Sequence, residues 1–500
     1  MKKVKKLLFF FCCCLFFGVV YGQGFEKLYF NVHTQGYNNI VRYWQNEDVF
    51  INALRDNSTG GYHFTLTDLS TVIDAYFTDL YDVRDMEIFG DMVFFCGQDL
   101  SSVSGFIGWF YIPNLFYGAG DIHIDKSLST QGLQSLDDIE VFADQGGEIH
   151  IAGYGLHAIL ISMPTGTPYK VFRAFEAVGN PLSTMQYRVA DLYSAGINSE
   201  ISDMAVTDHY VVYIQCSGNQ LCDSYGTGID LNVFPKYNMF SGTYYSLGQF
   251  QTIGHHNFDY LGCSYVLRDN SDPDGIDAKM VPIGDDKVAV CTYRADLNYP
   301  NSGFSSNCGP CPFKNEAAFY LAHRVYDLSP VLVNNPMLMI SAAVVQLPNS
   351  LKKLEDFVYN NSLKSYVAVH THETAPGVSE TAFTTMDFLL GIPPYVFSEY
   401  QVTYNTINNW SPTSVCLFGD GEYLVSGNDM TNFDQIFWRS YFNNNLLVCD
   451  RHVQYPMWPI STMEAKDNIW PINTSGWVSL NYIDYCTKNR VEDEVNIKCE

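Results

Sequence analysis

Short apolar runs recur along this chain in pairs, with a few polar or glycine residues between the two runs and often an acidic side chain at the entrance to the first. The clearest copies are Asp85-Met86-Glu87-Ile88-Phe89 then Val93-Phe94-Phe95-Cys96-Gly97, and Asp138-Ile139-Glu140-Val141-Phe142 then Ile149-His150-Ile151-Ala152-Gly153. Five more pairs occupy 40–43 with 49–53, 204–207 with 211–214, 280–283 with 288–292, 354–358 with 366–370, and 415–418 with 423–427. Turn formers such as Gly90-Asp91, Gly284-Asp285-Asp286 and Gly419-Asp420-Gly421 separate the runs, which is the chemistry of antiparallel hairpins. A third strand is expected at 62–66, 106–111, 158–161, 318–322, 381–386 and 436–441, and a fourth at 169–175 and 395–404. No unit of this size buries its apolar faces alone, so neighbouring units must stack.

Four antiparallel strands repeated seven times describe an all-β chain, a β-propeller of seven four-stranded blades over residues 23–455. The glycine-rich tight turns demand antiparallel neighbours, which argues against a parallel β-helix. Unit starts at 40, 86, 139, 204, 280, 354 and 415 give wide spacings, and the excess is assigned to loops, notably 221–236, 261–277 and 293–315. Residues 456–500 are expected to close the ring or dock on it. Pairing of 27–33 with 477–485 would raise the count to eight blades.

On this strand pattern residues 40 to about 450 resemble the secreted bacterial seven-bladed β-propeller repeat proteins. The resemblance implies a ring of blades with loops displayed at one end. The chain lacks the Gly-His and Trp-Asp blade signature and the kelch double glycine, so it points to no named family within that architecture.

Residues 1–22 join a basic start, Lys2, Lys3, Lys5 and Lys6, to an apolar run from Leu7 to Val20, the layout of a secretory signal peptide. Its loss would leave 24 basic against 54 acidic residues and take the net charge from −26 to −30. Such a field repels phosphate backbones and anionic lipid, so nucleic acid is excluded as a partner. No later run is long enough to span a bilayer, the best being nine residues from Met337 to Val345 between Pro336 and Gln346, so no membrane insertion is expected. The expected destination is extracytoplasmic: periplasm, cell surface or extracellular space, with the protein a monomer.

Asn270, Asp272, Asp274 and Asp277 alternate oxygen donors around Gly275, a pattern that suits Ca2+, although Val281 stands where an EF-hand places its bidentate glutamate. Cys308-Gly309-Pro310-Cys311 has the letters of a redox tetrapeptide without the strand-then-helix setting that lowers a thiol pKa, so a loop disulfide, local or to Cys263, is expected. Cys216 with Cys222 and Cys486 with Cys499 are further disulfide candidates in an oxidising compartment. Cys96 and Cys291 fall at a repeat position shared with Ala152, Ser426 and His370, where small side chains signal tight packing, and are read as buried free thiols. His370 and His372 share one strand face and are read as packed or exposed rather than zinc ligands, and His255-His256 as loop.

No nucleophile elbow, phosphate-binding loop or zinc-protease helix is present, and with 54 acidic residues the mere existence of carboxylate pairs carries no weight. Two functions follow. The first is a secreted propeller binding or scaffold protein, without assigned catalysis, that takes a glycan or a protein surface on its tyrosine- and asparagine-rich loops. The alternative is an extracellular glycan-active hydrolase or lyase with carboxylates at the ring mouth.

Overall fold

The computed structural model describes residues 25–29, 36–56, 61–69, 71–77, 81–128, 132–160, 169–182, 184–191, 198–218, 228–237, 239–240, 243–247, 255–260, 263–268, 278–294, 319–329, 338–347, 351–375, 378–389, 396–405, 410–419, 421–429 and 435–441, with seven short stretches between 450 and 499. The chain is all-β, and among the described residues its strands form seven five-stranded antiparallel sheets and one two-stranded hairpin, His255–Tyr260 with Cys263–Arg268.

Each of the first six sheets takes four consecutive strands. Sheet 1 runs from Gly36–Trp44 to Thr71–Phe77, sheet 2 from Tyr81–Phe89 to Asp121–Asp125, and sheet 3 from Asp138–Ala143 to Thr184–Asp191. Sheet 4 runs from Asn198–Val206 to Thr243–Leu247, sheet 5 from Ala278–Gly284 to Leu338–Leu347, and sheet 6 from Leu351–Asn360 to Val396–Asn405. Sheet 7 has three consecutive strands, Trp410–Phe418, Glu422–Asp429 and Gln435–Tyr441, and borrows its fourth, Phe25–Tyr29, from the other end of the chain. All seven expected strand pairs are the first two strands of a sheet.

The fifth strands all come from the C-terminal tail, dealt out one per sheet in reverse order. Asp450–Val453 pairs with sheet 6, Met457–Pro459 with sheet 5, Asp467–Pro471 with sheet 4, and Val478–Ser479 with sheet 3. Tyr482–Cys486 then joins sheet 2, Asn489–Glu494 sheet 1, and Asn496–Cys499 sheet 7, beside Phe25–Tyr29. The expected pairing of 27–33 with 477–485 is therefore corrected. The N-terminal strand meets residues 435–439 and 496–499, residues 478–486 serve sheets 3 and 2, and among the described residues these segments build no further blade-like sheet. An outer strand with unpaired N–H and C=O groups is a template for foreign strands, and the tail replaces the fourth-strand edge of all seven sheets with an outer strand of only two to six residues, short edge strands being one way to blunt that hazard.

The first strand of each sheet touches the first strand of the next, from sheet 1 through sheet 7, and sheet 7 touches sheet 1 again. Apolar layers fill the spaces between neighbours. Phe64 of sheet 1 packs against Phe95 and Phe110 of sheet 2 at ring separations of 5.0 and 4.9 Å, and Trp109 lies with Ile139 and Ile151 between sheets 2 and 3. Further buried clusters join sheets 3 and 4, 6 and 7, and 7 and 1. One short helix, Ile112–Tyr117, follows the third strand of sheet 2 and buries Ile112, Leu115 and Phe116.

Several strand expectations change. Residues 158–160 continue the second strand of sheet 3, which runs to Leu160, so Tyr169–Asn180 is the third strand and not the fourth. Gly228–Pro235, assigned to a loop, is the third strand of sheet 4, and the apolar run at 337–345 is the fourth strand of sheet 5. His255 and His256 stand on a strand, not in a loop. Among the described residues no helix is long and apolar enough to cross a membrane.

Candidate functional site

The first strands converge on a cavity of about 490 Å³ to which every sheet contributes. A recurrent backbone irregularity shapes its wall. The first strand carries a bulge between Val83 and Asp85 in sheet 2, Ile201 and Asp203 in sheet 4, Leu354 and Asp356 in sheet 6, and Pro412 and Ser414 in sheet 7. A bulge re-aims the following side chain. Here that side chain is an aspartate in three of the four sheets, and the lining also holds Asp138 of sheet 3 and Lys279 of sheet 5.

Gly97, Gly155 and Gly427 mark the same place on the second strands. A Cβ at each would lie 1.8 to 2.3 Å from a carbonyl oxygen of the adjacent chain, namely Asp82, Ser135 and Ser411. This register sets Tyr154, not Ala152, beside Cys96 and Ser426, and the pairing of Asp356 with Val369 displaces His370 from that position. With Tyr154 and Val369 there, the position is not reserved for small side chains, but the reading of the cysteines stands: Cys96 and Cys291 are buried free thiols, as is Cys416, and burial pushes all three thiols up.

The aspartates hook one sheet to the next. Asp85 accepts the backbone N–H of Ile139 in sheet 3 at 3.0 Å, Asp356 accepts that of Val415 in sheet 7 at 2.8 Å, and Asp203 accepts that of Met280 in sheet 5. Arg42 of sheet 1 extends the seam in both directions. It donates from Nε to Glu87 at 2.8 Å and from Nη2 to Asp85 at 2.9 Å in sheet 2, and from Nη1 to Ser414 Oγ in sheet 7 at 3.3 Å. Arg84 pairs with Asp137, and Lys279 Nζ stands 3.7 Å from Asp203.

The lining holds eight carboxyl groups (Asp85, Glu87, Asp137, Asp138, Glu140, Asp203, Glu355 and Asp356) against the cations Arg42, Arg84 and Lys279. Burial and mutual repulsion raise several carboxyl pKa values. Glu87 is pushed up to about 7 by burial, against the pull of Arg42, and Asp203 to about 6 by burial, against Lys279. Burial first, then neighbouring carboxylates, hold Asp138 and Glu140 well above the usual range, and Asp138 also shares a hydrogen bond with Asp85. Arg42 and Lys279 are held more firmly charged, because the acidic neighbours outweigh the burial that opposes it.

The sites expected from sequence lie elsewhere. Asn270, Asp272, Asp274 and Asp277, together with Cys222, Cys308 and Cys311, fall outside the described residues. Cys216 is placed on the second strand of sheet 4, and Cys486 and Cys499 on the fifth strands of sheets 2 and 7, with their side chains outside the description. His370 is fully buried in the second strand of sheet 6. The cavity residues were announced only by the acidic entrances to the first strands. Arg42, Glu140 and Lys279 carried no signal until the sheets were brought together.

No known family model matches the chain, and no curated protein does.

Proposed function

We propose that the seven sheets are the blades of a β-propeller and that the protein is an extracytoplasmic, non-catalytic binding or scaffold protein. The ring reading is supported by first strands that touch in a closed cycle and by a seventh sheet assembled from both ends of the chain. A secretory destination is supported by the basic and then apolar opening of the sequence.

The observation that carries the functional reading is the employment of the central carboxylates. Asp85, Asp203 and Asp356 each accept a backbone N–H of the next sheet, Glu87 is paired with Arg42, and Glu355 accepts the Thr371 hydroxyl at 3.1 Å. Groups that hold the seam are poorly placed to attack or protonate a substrate. The ligand, a glycan or a protein surface, is then met by loops outside the ring. A glycan array and a pull-down with the full chain test this: a reproducible ligand supports the reading, and failure of both argues against it.

A second reading is favoured by one observation. Burial first, then the neighbouring carboxyls of Glu87 and Asp85, raise the Glu140 pKa well above the ordinary carboxyl range in a cavity that also holds Asp203, and a carboxylic acid of raised pKa facing a second carboxyl group is the arrangement of a glycosidase. Release of reducing sugar from an extracellular polysaccharide, abolished by Glu140→Gln, would establish this reading in place of the first.

A further inference from the structure

We propose that the first hairpin of sheet 3 binds a divalent transition metal ion, best matched by zinc, through Asp144, Glu148 and His150. One ligand atom from each of the three lies within 4.8 Å of the others. Donors around a tetrahedral zinc at ~2.0–2.2 Å lie roughly 3.3 Å apart, so closure needs shifts of an ångström or so, within reach of two side chains on a turn.

His150 separates this cluster from a solvated acidic turn. It is 7% exposed, and neither ring nitrogen has a hydrogen-bond partner. Its plane is fixed by stacking on Phe142 at 5.5 Å and 8° and by the edge of Tyr237 at 5.6 Å. A buried imidazole with two unused nitrogens forfeits its hydration without return, a loss that ligation would offset.

The two nitrogens face different groups. Nε2 is 4.0 Å from Asp144 Oδ2, on the side of the turn carboxylates. Nδ1 is 3.8 Å from Glu176 Oε1, and Glu176 is itself fixed, its Oε2 accepting Arg188 Nε at 2.9 Å and Nη2 at 2.8 Å. Metal on Nε2 with Nδ1–H directed at a held carboxylate is the usual second-layer support of a histidine ligand. One imidazole and two carboxylates suit zinc, cobalt or manganese better than calcium, which prefers oxygen alone.

The turn keeps its carboxylates on one side. Glu148 N–H donates to Asp144 Oδ1 at 2.8 Å, Asp144 N–H donates to Glu148 O at 3.0 Å, and Gly147 supplies the required φ of +80°. Asp144 Oδ2 is left for the metal.

The test is a titration of the chelator-treated full chain with Zn2+ by calorimetry, and with Co2+ by visible absorption, for wild type, Glu148→Gln, Asp144→Asn and His150→Phe. Glu148→Gln changes an exposed turn residue, and His150→Phe preserves the stack on Phe142, so both should fold. The proposal expects each variant to lose one site, or to weaken it by about tenfold or more, with an unchanged melting temperature in chelator for Glu148→Gln. Identical zinc stoichiometry and affinity in Glu148→Gln and wild type would overturn it. So would the absence of zinc binding in wild type, or a site lost in Glu148→Gln but untouched in His150→Phe, which would belong to carboxylates alone.

Discussion

The carboxylate of Asp85 leaves its own sheet to accept the backbone N–H of Ile139 at 3.0 Å, joining the first strands of sheets 2 and 3 at the wall of the central cavity. The same carboxylate takes Arg42 from sheet 1, so one side chain ties three sheets. Asp85→Ala would strand a buried N–H and half of the Arg42 guanidinium, at a cost of roughly 3 kcal/mol, whereas Asp85→Asn keeps an acceptor and should cost about 1 kcal/mol. Urea unfolding of the two variants checks the order, and equal losses would show that the hook is unimportant.

The protonated carboxyls make stability depend on pH in a definite direction. Glu87 rises from 4.5 to about 7 on folding and Asp203 from 3.8 to about 6, so the folded state binds their protons more tightly. Their contribution is complete below the unfolded values and is lost as pH climbs through about 6 to 7. The melting temperature should therefore fall between pH 5 and pH 8. Glu140, also raised, is mimicked by glutamine in its neutral form, so Glu140→Gln should melt higher than wild type at pH 8 and about equally at pH 4. A wild-type melting temperature that rises across this interval would contradict the assignment.

Without its tail the molecule would present the fourth-strand edge of all seven sheets in place of the short tail strands. A chain ended at residue 449 should elute from size exclusion as oligomers or be lost to aggregation, since seven fourth-strand edges that the tail strands now pair with become available together. Refolding with a synthetic 450–500 peptide should restore the elution position of the full chain. A truncated chain that stays monomeric on light scattering would assign the tail no protective part.

Gly97 has no room for a side chain, because a Cβ would sit 1.8 Å from the Asp82 carbonyl oxygen, within the backbone of the bulged first strand. Gly97→Ala should cost about 3 kcal/mol or more through displacement of that bulge. Gly90, at φ +62° in open space, should tolerate alanine at a cost of about 1 kcal/mol. Thermal melts of the two variants compare them directly, and similar losses would remove the bulge from the explanation.

The strand pairs were legible because alternating apolar runs meet glycine-rich turns, as at Ile88 to Val93, and that chemistry is local. Legibility failed where the local signal was diluted. The second strand of sheet 3 runs on through a glycine-rich stretch to Leu160, and the third strand of sheet 4 begins in a polar segment at Gly228. Tail strands as short as Val478–Ser479 have no period to read. The central seam was hidden for a different reason: Asp85 and Ile139 lie 54 positions apart, and Arg42 and Ser414 lie 372 apart, so only the assembled sheets show why the strand entrances are acidic.

Circular closure is tested most directly by a crystal structure of the full chain. The electron density should show seven sheets about one axis with sheet 7 packed on sheet 1, and an open or linear stack of sheets would contradict the ring.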